Sequence, residues 1–383
     1  MHNRSQLSED VLSESTILLF SVSLGMATVL VPLVASAAGY SLGAVGFLIG
    51  VSAITQIIAR AGMGTLMERF RTRSFILVSL SLLSASCLLL AVTHALWAFV
   101  ISQLLQGAAR AYFFTGTQTH VIRGTRPAVS ALTIMNVTNG VGLLVGPVVA
   151  GFIGAASLQL GLAVAGAVAG VAIPLCVFLS AYEPFEKADA QSSASTIPIW
   201  RRPGVAASGW MGAAAGAWRG ILNSYLPVLV TAAGHSIPVA GVMTTIANLA
   251  ALGGSAAAPL VRRVGARASA IVGTVLATAG VAVMVYLLSD LIWAGVFLVI
   301  SGIGAGILQT LGPALGSEAV GPEERGRAIA MIGTFRAVSL LVTPMGIGAL
   351  VFVLPSAAIA TSVVAVAAAL PALFMVPHRA DPT

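Results

Sequence analysis

This sequence has little charge. Of 383 residues only 8% are Asp, Glu, Lys or Arg and 58% are apolar, whereas soluble domains carry roughly 25% charge. A hydrated surface cannot be built from that composition, which excludes an ordinary soluble domain. Cysteine is nearly absent, and Cys87 and Cys176 both lie inside apolar runs, where thiols behave as small hydrophobes. Neither a disulfide framework nor a metal site is implied. The short alternating segments of a membrane β-barrel are missing. Neither Gly62 and Gly64 nor Gly302, Gly304 and Gly306 are followed by the Lys and Ser or Thr of a phosphate-cradling loop, so ATP drive and a bound cofactor are not expected. The net charge of +7 comes with no basic stripe and no aromatic interleaving, so nucleic acid is not an expected partner. No convergent set of His, Asp, Glu and Cys lies within the apolar runs, and an enzyme is not expected either.

What the sequence does have is long apolar runs of about 20 residues, the length that crosses roughly 30 Å of hydrocarbon. They place spans at 16–36, 43–66, 74–93, 96–118, 129–154 and 158–181, then at 206–230, 238–261, 268–288, 291–316, 327–352 and 356–376. The expected fold is an all-α membrane protein of twelve transmembrane helices in two pseudo-symmetric six-helix halves. Residues 1–181 form the first half, 182–205 a polar cytoplasmic linker with Pro184, Lys187, Ser192, Ser193, Pro198, Arg201 and Arg202, and 206–383 the second half. Glycine and proline inside the runs, such as Gly142, Gly146, Pro147, Pro227 and Pro344, permit close packing and bending in lipid. The first run follows Glu9, Asp10 and Glu14 and is long enough to span, so it reads as a retained helix and not as a cleaved leader.

Basic residues resist translocation and so report orientation. With the amino terminus inside, Arg4, Arg69, Arg71, Arg73, Arg123, Arg126, Lys187, Arg201, Arg202, Arg262, Arg263, Arg267, Arg325, Arg327 and Arg379 all fall on the cytoplasmic side, and the opposite loops hold no Lys or Arg. Both termini are therefore expected in the cytoplasm, in a cell inner (plasma) membrane. The halves also echo each other. Glu68, Arg69, Arg71 and Arg73 follow the second span as Arg262, Arg263 and Arg267 follow the eighth, and Pro147 in the fifth span recurs as Pro344 in the eleventh.

Gly64, Leu66, Glu68, Arg69 and Arg73 form a loop that resembles the one between helices two and three of the major facilitator superfamily (MFS), and the resemblance extends over nearly the whole chain. It implies alternating access by two halves, a substrate site near the membrane midplane, and a gating role for this loop, whose acid approaches the start of helix eleven; Glu68 would hold that role. Arg71 replaces the motif's usual glycine, Thr72 one of its basic residues, and Arg262 an acid of the second copy. Gly142, Gly146, Pro147 and Gly151 are similar to the family's antiporter motif of exporters, with Thr133 and Ala150 where glycines are usual. Pro322, Glu323, Glu324, Arg325, Gly326 and Arg327 resemble its turn before helix eleven.

Four charges remain inside the spans, and all are arginines: Arg60, Arg110, Arg219 and Arg336. Each costs roughly 2.5–3.5 kcal/mol at a helix centre, while Glu14, Glu68, Glu318 and Asp290 fall at span ends or in a loop. An arginine fork in a wet cavity suits a carboxylate or phosphate. Arg110, with Gln103, Gln106 and Thr117 on one helical face, and Arg219, with Asn223 one turn later, are the expected substrate contacts, the alternative being structural arginines that glue helices together. Arg336, which the repeat pairs with Asn139, suits binding and gating equally. Arg60 lies near enough to the inner surface to snorkel. His94, His120 and His235 all fall near span ends, so no proton relay is evident. The expectation is a monomeric secondary transporter, an antiporter or other efflux carrier, whose small-molecule substrate is anionic; the alternative is a proton-driven multidrug exporter.

Overall fold

In hydrocarbon a chain has to satisfy its own backbone hydrogen bonds, and a helix does so within one segment. The computed structural model describes residues 2–124, 126–184, 198–321 and 324–374, and no strand occurs among them. The linker residues Lys187, Ser192 and Ser193, the turn residues Pro322 and Glu323, and Arg379 lie outside the described residues. The helices are α1 (His2–Ala37), α2 (Leu42–Met67), α3 (Thr72–Val92), α4 (Leu96–Val121), α5 (Ala128–Ala156), α6 (Leu158–Val177), α7 (Pro203–Ser224), α8 (Leu226–Ala232), α9 (Ile237–Val261), α10 (Ala266–Met284), α11 (Leu291–Glu318), α12 (Arg325–Leu350) and α13 (Ala357–Phe374). All but α8 have 18 residues or more, which gives twelve long helices among the described residues and a twelve-helix membrane fold.

Ten of these helices are long and apolar enough to cross a membrane. The two that fall short, α4 and α7, hold Gln103, Gln106 and Arg110, and Arg219 and Asn223. Hydropathy is low there because the polar residues are concentrated there. Elsewhere large apolar side chains stand exposed in mid-helix, as at Ile58, Val137, Leu249 and Val342, a surface suited to lipid. The seventh apolar run, expected as one span over 206–230, is broken at Tyr225 into α7 and α8. Pro227 has no N–H to continue the helix, and its ring crowds the preceding turn.

The chain divides into two compact units. The first comprises Met1–Gly39, Val51–Ala190 and Ser236–Thr245, and the second Tyr40–Gly50, Gln191–His235 and Ile246–Thr383. In the first, α1 packs on α5 and α6, and α3 on α4 and α6. In the second, α7 packs on α12 and α13, and α10 on α11 and α13. These are the same pairings six helices later, so the echo in sequence is also an echo in packing. Small residues make them possible. Gly146 and Gly25 bring α5 against α1, while Gly212 and Gly216 bring α7 against Ile332 and Arg336 of α12.

Each unit also takes in the start of a helix that continues in the other. In the second unit Gly43 meets Phe352 and Gly348, and the Tyr225 hydroxyl donates to the Pro344 carbonyl at 3.1 Å, with the Leu42 carbonyl 3.3 Å away. In the first unit Gly241 lies against Pro147 and Gly151, and Thr245 donates to the Leu144 carbonyl at 2.8 Å. Where helices enter, Asp290 caps α11 by accepting the N–H groups of Ile292 and Trp293. Arg202 donates to both carboxylate oxygens of Glu324 and so ties the start of α7 to the start of α12. That hydrogen bond, with the charges of Arg202 and Arg327, holds the Glu324 carboxyl below its ordinary range.

A Cβ on Gly107 of α4 would collide with the Ser52 carbonyl of α2, whereas one on Gly253 meets nothing within 4 Å. Gly107→Val is therefore expected to lower the melting temperature of the purified protein, at a cost of about 1–3 kcal/mol for overpacking, and Gly253→Ala to leave it unchanged or raised. Because the Glu324 carboxyl is depressed, its contribution is present at neutral pH and lost on acidification. Glu324→Gln should melt below the wild type at pH 7, and the gap should close as pH falls below about 4.3.

Candidate functional site

Polar side chains inside these helices mostly bond a carbonyl of their own helix, as Thr274 does with Ala270 and Thr117 with Phe113. Such side chains are spent. The informative residues are those with donors left over, and in the first unit they share one face of α4. Gln103 and Gln106 are each 1% exposed, and their carboxamide nitrogens have no hydrogen-bond partner among the described residues. Arg110, partly buried one turn beyond Gln106, donates from Nη2 to Gln106 Oε1 at 3.5 Å, while its buried Nε has no acceptor. Its charge lies within electrostatic reach of the buried Cys87 thiol of α3. Below this face Phe113 stacks on Phe20 of α1, with ring centroids 3.6 Å apart and planes 4° from parallel. Thr117, expected on the same face, is spent on the Phe113 and Phe114 carbonyls.

In the second unit Arg219 donates from Nη1 to Asn248 Oδ1 of α9 and lies 5.1 Å from the Trp218 ring. Trp218 is in turn fixed by its Nε1 donating to Ser301 Oγ of α11 at 3.1 Å. Arg336 donates from Nη2 to Gln309 Oε1 of α11 at 3.5 Å, and the Gln309 nitrogen has no acceptor. Asn223 is partly buried one turn along α7 from Arg219. Asn139 accepts from Ser21 Oγ at 2.8 Å, a bond between α5 and α1.

The structure gives the residues of the loop after α2, expected from sequence to gate, distinct surroundings. Glu68 and Arg69 are exposed past the end of α2, beyond Gly64. Arg73 donates from Nη1 to the carbonyls of Val177 and Leu179 at 3.0 and 3.1 Å, so it closes the C-terminal end of α6. Gly146 and Pro147 lie against Val22 and Gly25 of α1. Arg60 is exposed on α2. Sequence reasoning missed the roles of Trp218 and Asn248 as supports for Arg219, and it missed a buried pairing of His120 with Glu9, 3.0 Å apart. A histidine in the last turn of α4 was visible, but its partner lies 111 residues away.

The profile of the Major Facilitator Superfamily matches residues 15–344 and 213–382. The chain belongs to the Major Facilitator Superfamily. As a member of this family it is a multi-pass membrane protein. Among curated proteins, the class B tetracycline resistance protein of Escherichia coli is 34% identical over 113 residues, which is 28% of this chain and 27% of that protein. The match thus spans about a quarter of that relative. Among solved structures, nucleoside transporter NupG superposes with a TM-score of 0.75 at 14% identity, covering 97% of this chain and 98% of NupG. A bacterial homologue of the human lysosomal transporter Spinster, inward-facing and unoccupied, gives 0.72 at 13%, over 97% and 96%. A POT family transporter in complex with 5-aminolevulinic acid gives 0.74 at 11%, over 96% and 94%. At these identities the structures show a shared MFS fold.

Replacing Asn248 by Leu takes an acceptor from a charged donor, and such bonds contribute about 1.5–3 kcal/mol. Asn248→Leu is expected to lower the melting temperature by several degrees. The Arg219→Leu, Asn248→Leu double variant should lose less than the two single variants added together.

Proposed function

We propose that this MFS protein is a secondary carrier that works by alternating access and exports a small organic or amphipathic anion. The observation that carries this reading is the face of α4, where Arg110 Nε and the carboxamide nitrogens of Gln103 and Gln106 are buried donors with nothing to donate to. Leaving such groups unsatisfied costs free energy, and a ligand rich in acceptors, a carboxylate or phosphate above all, would satisfy them. Arg110 and Gln106 are the substrate contacts of the first unit. Arg219, Asn223 and Arg336 are those of the second, and Asn139 is the counterpart of Arg336 in the repeat. Gly64, Glu68, Arg69 and Arg73, with Gly146 and Pro147, serve gating. The charge map supports an orientation with both termini in the cytoplasm, and the same reading takes the protein as a monomer in the inner (plasma) membrane.

A second reading, a proton-driven multidrug exporter, is favoured by the stretch of 34% identity to a tetracycline resistance protein. Transport by vesicles containing the purified protein separates the two. For the anion carrier, a screen of organic anions by thermal shift yields at least one that raises the melting temperature. Arg110→Leu or Arg219→Leu should then weaken its binding by about 10–100-fold, the equivalent of one charge-assisted hydrogen bond. Movement of lipophilic cations under a pH gradient, undiminished when both arginines are replaced, would overturn it.

A further inference from the structure

Away from the arginines, the first unit buries a second polar cluster around the last turn of α4. His120 is 2% exposed. Its Nε2 lies 3.0 Å from Glu9 Oε1 of α1, its Nδ1 lies 3.2 Å from Thr72 Oγ1 at the start of α3, and its ring packs 5.0 Å from that of Tyr182. The Glu9 carboxylate is held in turn by the Ser180 N–H, which reaches its two oxygens at 3.0 and 3.1 Å. One imidazole thus links α1, α3, α4 and the stretch after α6. Beside it is a cavity of about 30 Å³, lined by Glu9, Asp10, Ser13, Glu14, His120 and Tyr182 among others. That is room for a water molecule or two.

Of the other charged groups around this cluster, Asp10, Glu14 and Arg126 line the same cavity and pair with one another, and the rest are engaged elsewhere. From the connection after α4, Arg126 pairs with Asp10 at 3.0 Å and with Glu14 at 2.6 Å, and Arg123 donates to the Glu183 backbone carbonyl. Just before α3, Arg71 pairs with Glu183 at 3.2 Å, and from α3 Arg73 is directed to the end of α6, where the Cys176 thiol is buried. Glu9 is the carboxylate that remains to face the imidazole, and it is 21% exposed.

Histidine is the side chain that changes charge between about pH 5 and 8, and the partners of His120 accommodate both of its states. A hydroxyl can donate or accept. With Nδ1 bare, the Thr72 hydroxyl donates to it. With Nδ1 protonated, its N–H donates to Thr72 Oγ1 and the hydroxyl proton turns away. Nε2–H donates to Glu9 throughout. The ring takes up one proton while both of its hydrogen bonds persist, and the bond to the carboxylate becomes an ion pair. The C-terminal end of a helix also favours a cation.

We propose that His120, held between Glu9 and Thr72, is a proton-binding site at the end of α4, loaded through water in the adjoining cavity. Proton uptake strengthens the tie of α4 to α1 and α3. Arg110 is ten residues back on the same helix, about 15 Å at 1.5 Å per residue, so proton and anion act on one rigid element. Use of this proton for coupling rests on the reading of the protein as a carrier; proton binding does not.

The test follows the ring nitrogens of His120 by NMR in full-length, 15N-histidine-labelled protein in lipid nanodiscs, from about pH 8.5 to about pH 5. His120→Gln assigns the signals. In the wild type Nε2 stays protonated throughout and Nδ1 changes from bare to protonated as pH falls, one proton per chain. Thr72→Ser, which keeps the hydroxyl, behaves alike, and Glu9→Gln, melting like the wild type, loses the change or moves it to lower pH. A bare Nδ1 across the whole range, or the same change in Glu9→Gln, overturns the proposal. Arg110→Leu leaves these signals untouched, so failure of the anion reading is seen separately.

Discussion

In a membrane the desolvation of polar groups constrains everything else. A buried donor or acceptor without a partner costs far more than a missing apolar neighbour, so backbone groups close into helices and side-chain hydroxyls turn back onto carbonyls. The same constraint governs packing. Hydrocarbon is as apolar as leucine, so helices adhere through close fit and not by escaping water. Glycine is what permits that fit, at Gly107 against Ser52 in the first unit and at Gly306 against Ala251 in the second. The corresponding pairs of helices are used in both units, so the repeat is a repeat of backbone approach as much as of sequence.

Polar groups that escape the constraint gain meaning from it. Arg219 has an amide oxygen beneath it and an indole beside it, as expected of a cation that has to be held in a fixed pose. The nitrogens of Gln103, Gln106 and Arg110 are left open on one helix face. The His120 cluster lies between these extremes, with both ring nitrogens occupied by groups that tolerate a change of charge. Polar groups with partners, those with donors left over and the His120 cluster thus occupy different places in the fold.

Much of this was legible in the sequence. The spans could be read because about 20 apolar residues match the thickness of the hydrocarbon, and the observed helix ends mostly lie within a few residues of those expected. The common face of Gln103, Gln106 and Arg110 followed from helical spacing alone. The exceptions have local causes. Pro227 splits the seventh span, and α1 begins well before the apolar run because the residues ahead of the membrane are helical too.

What the sequence by itself determined was the helical class, the number of long helices and the positions of the arginines within the apolar runs, because those depend on composition along a single segment. The tertiary structure decided partnership: Glu9 with His120, Trp218 with Ser301, the Tyr225 hydroxyl with the Pro344 carbonyl. Those groups are separated by 111, 83 and 119 residues. Whether they meet depends on how each helix is rotated about its axis and how closely its glycines let a neighbour approach, and neither is written in any one stretch of sequence.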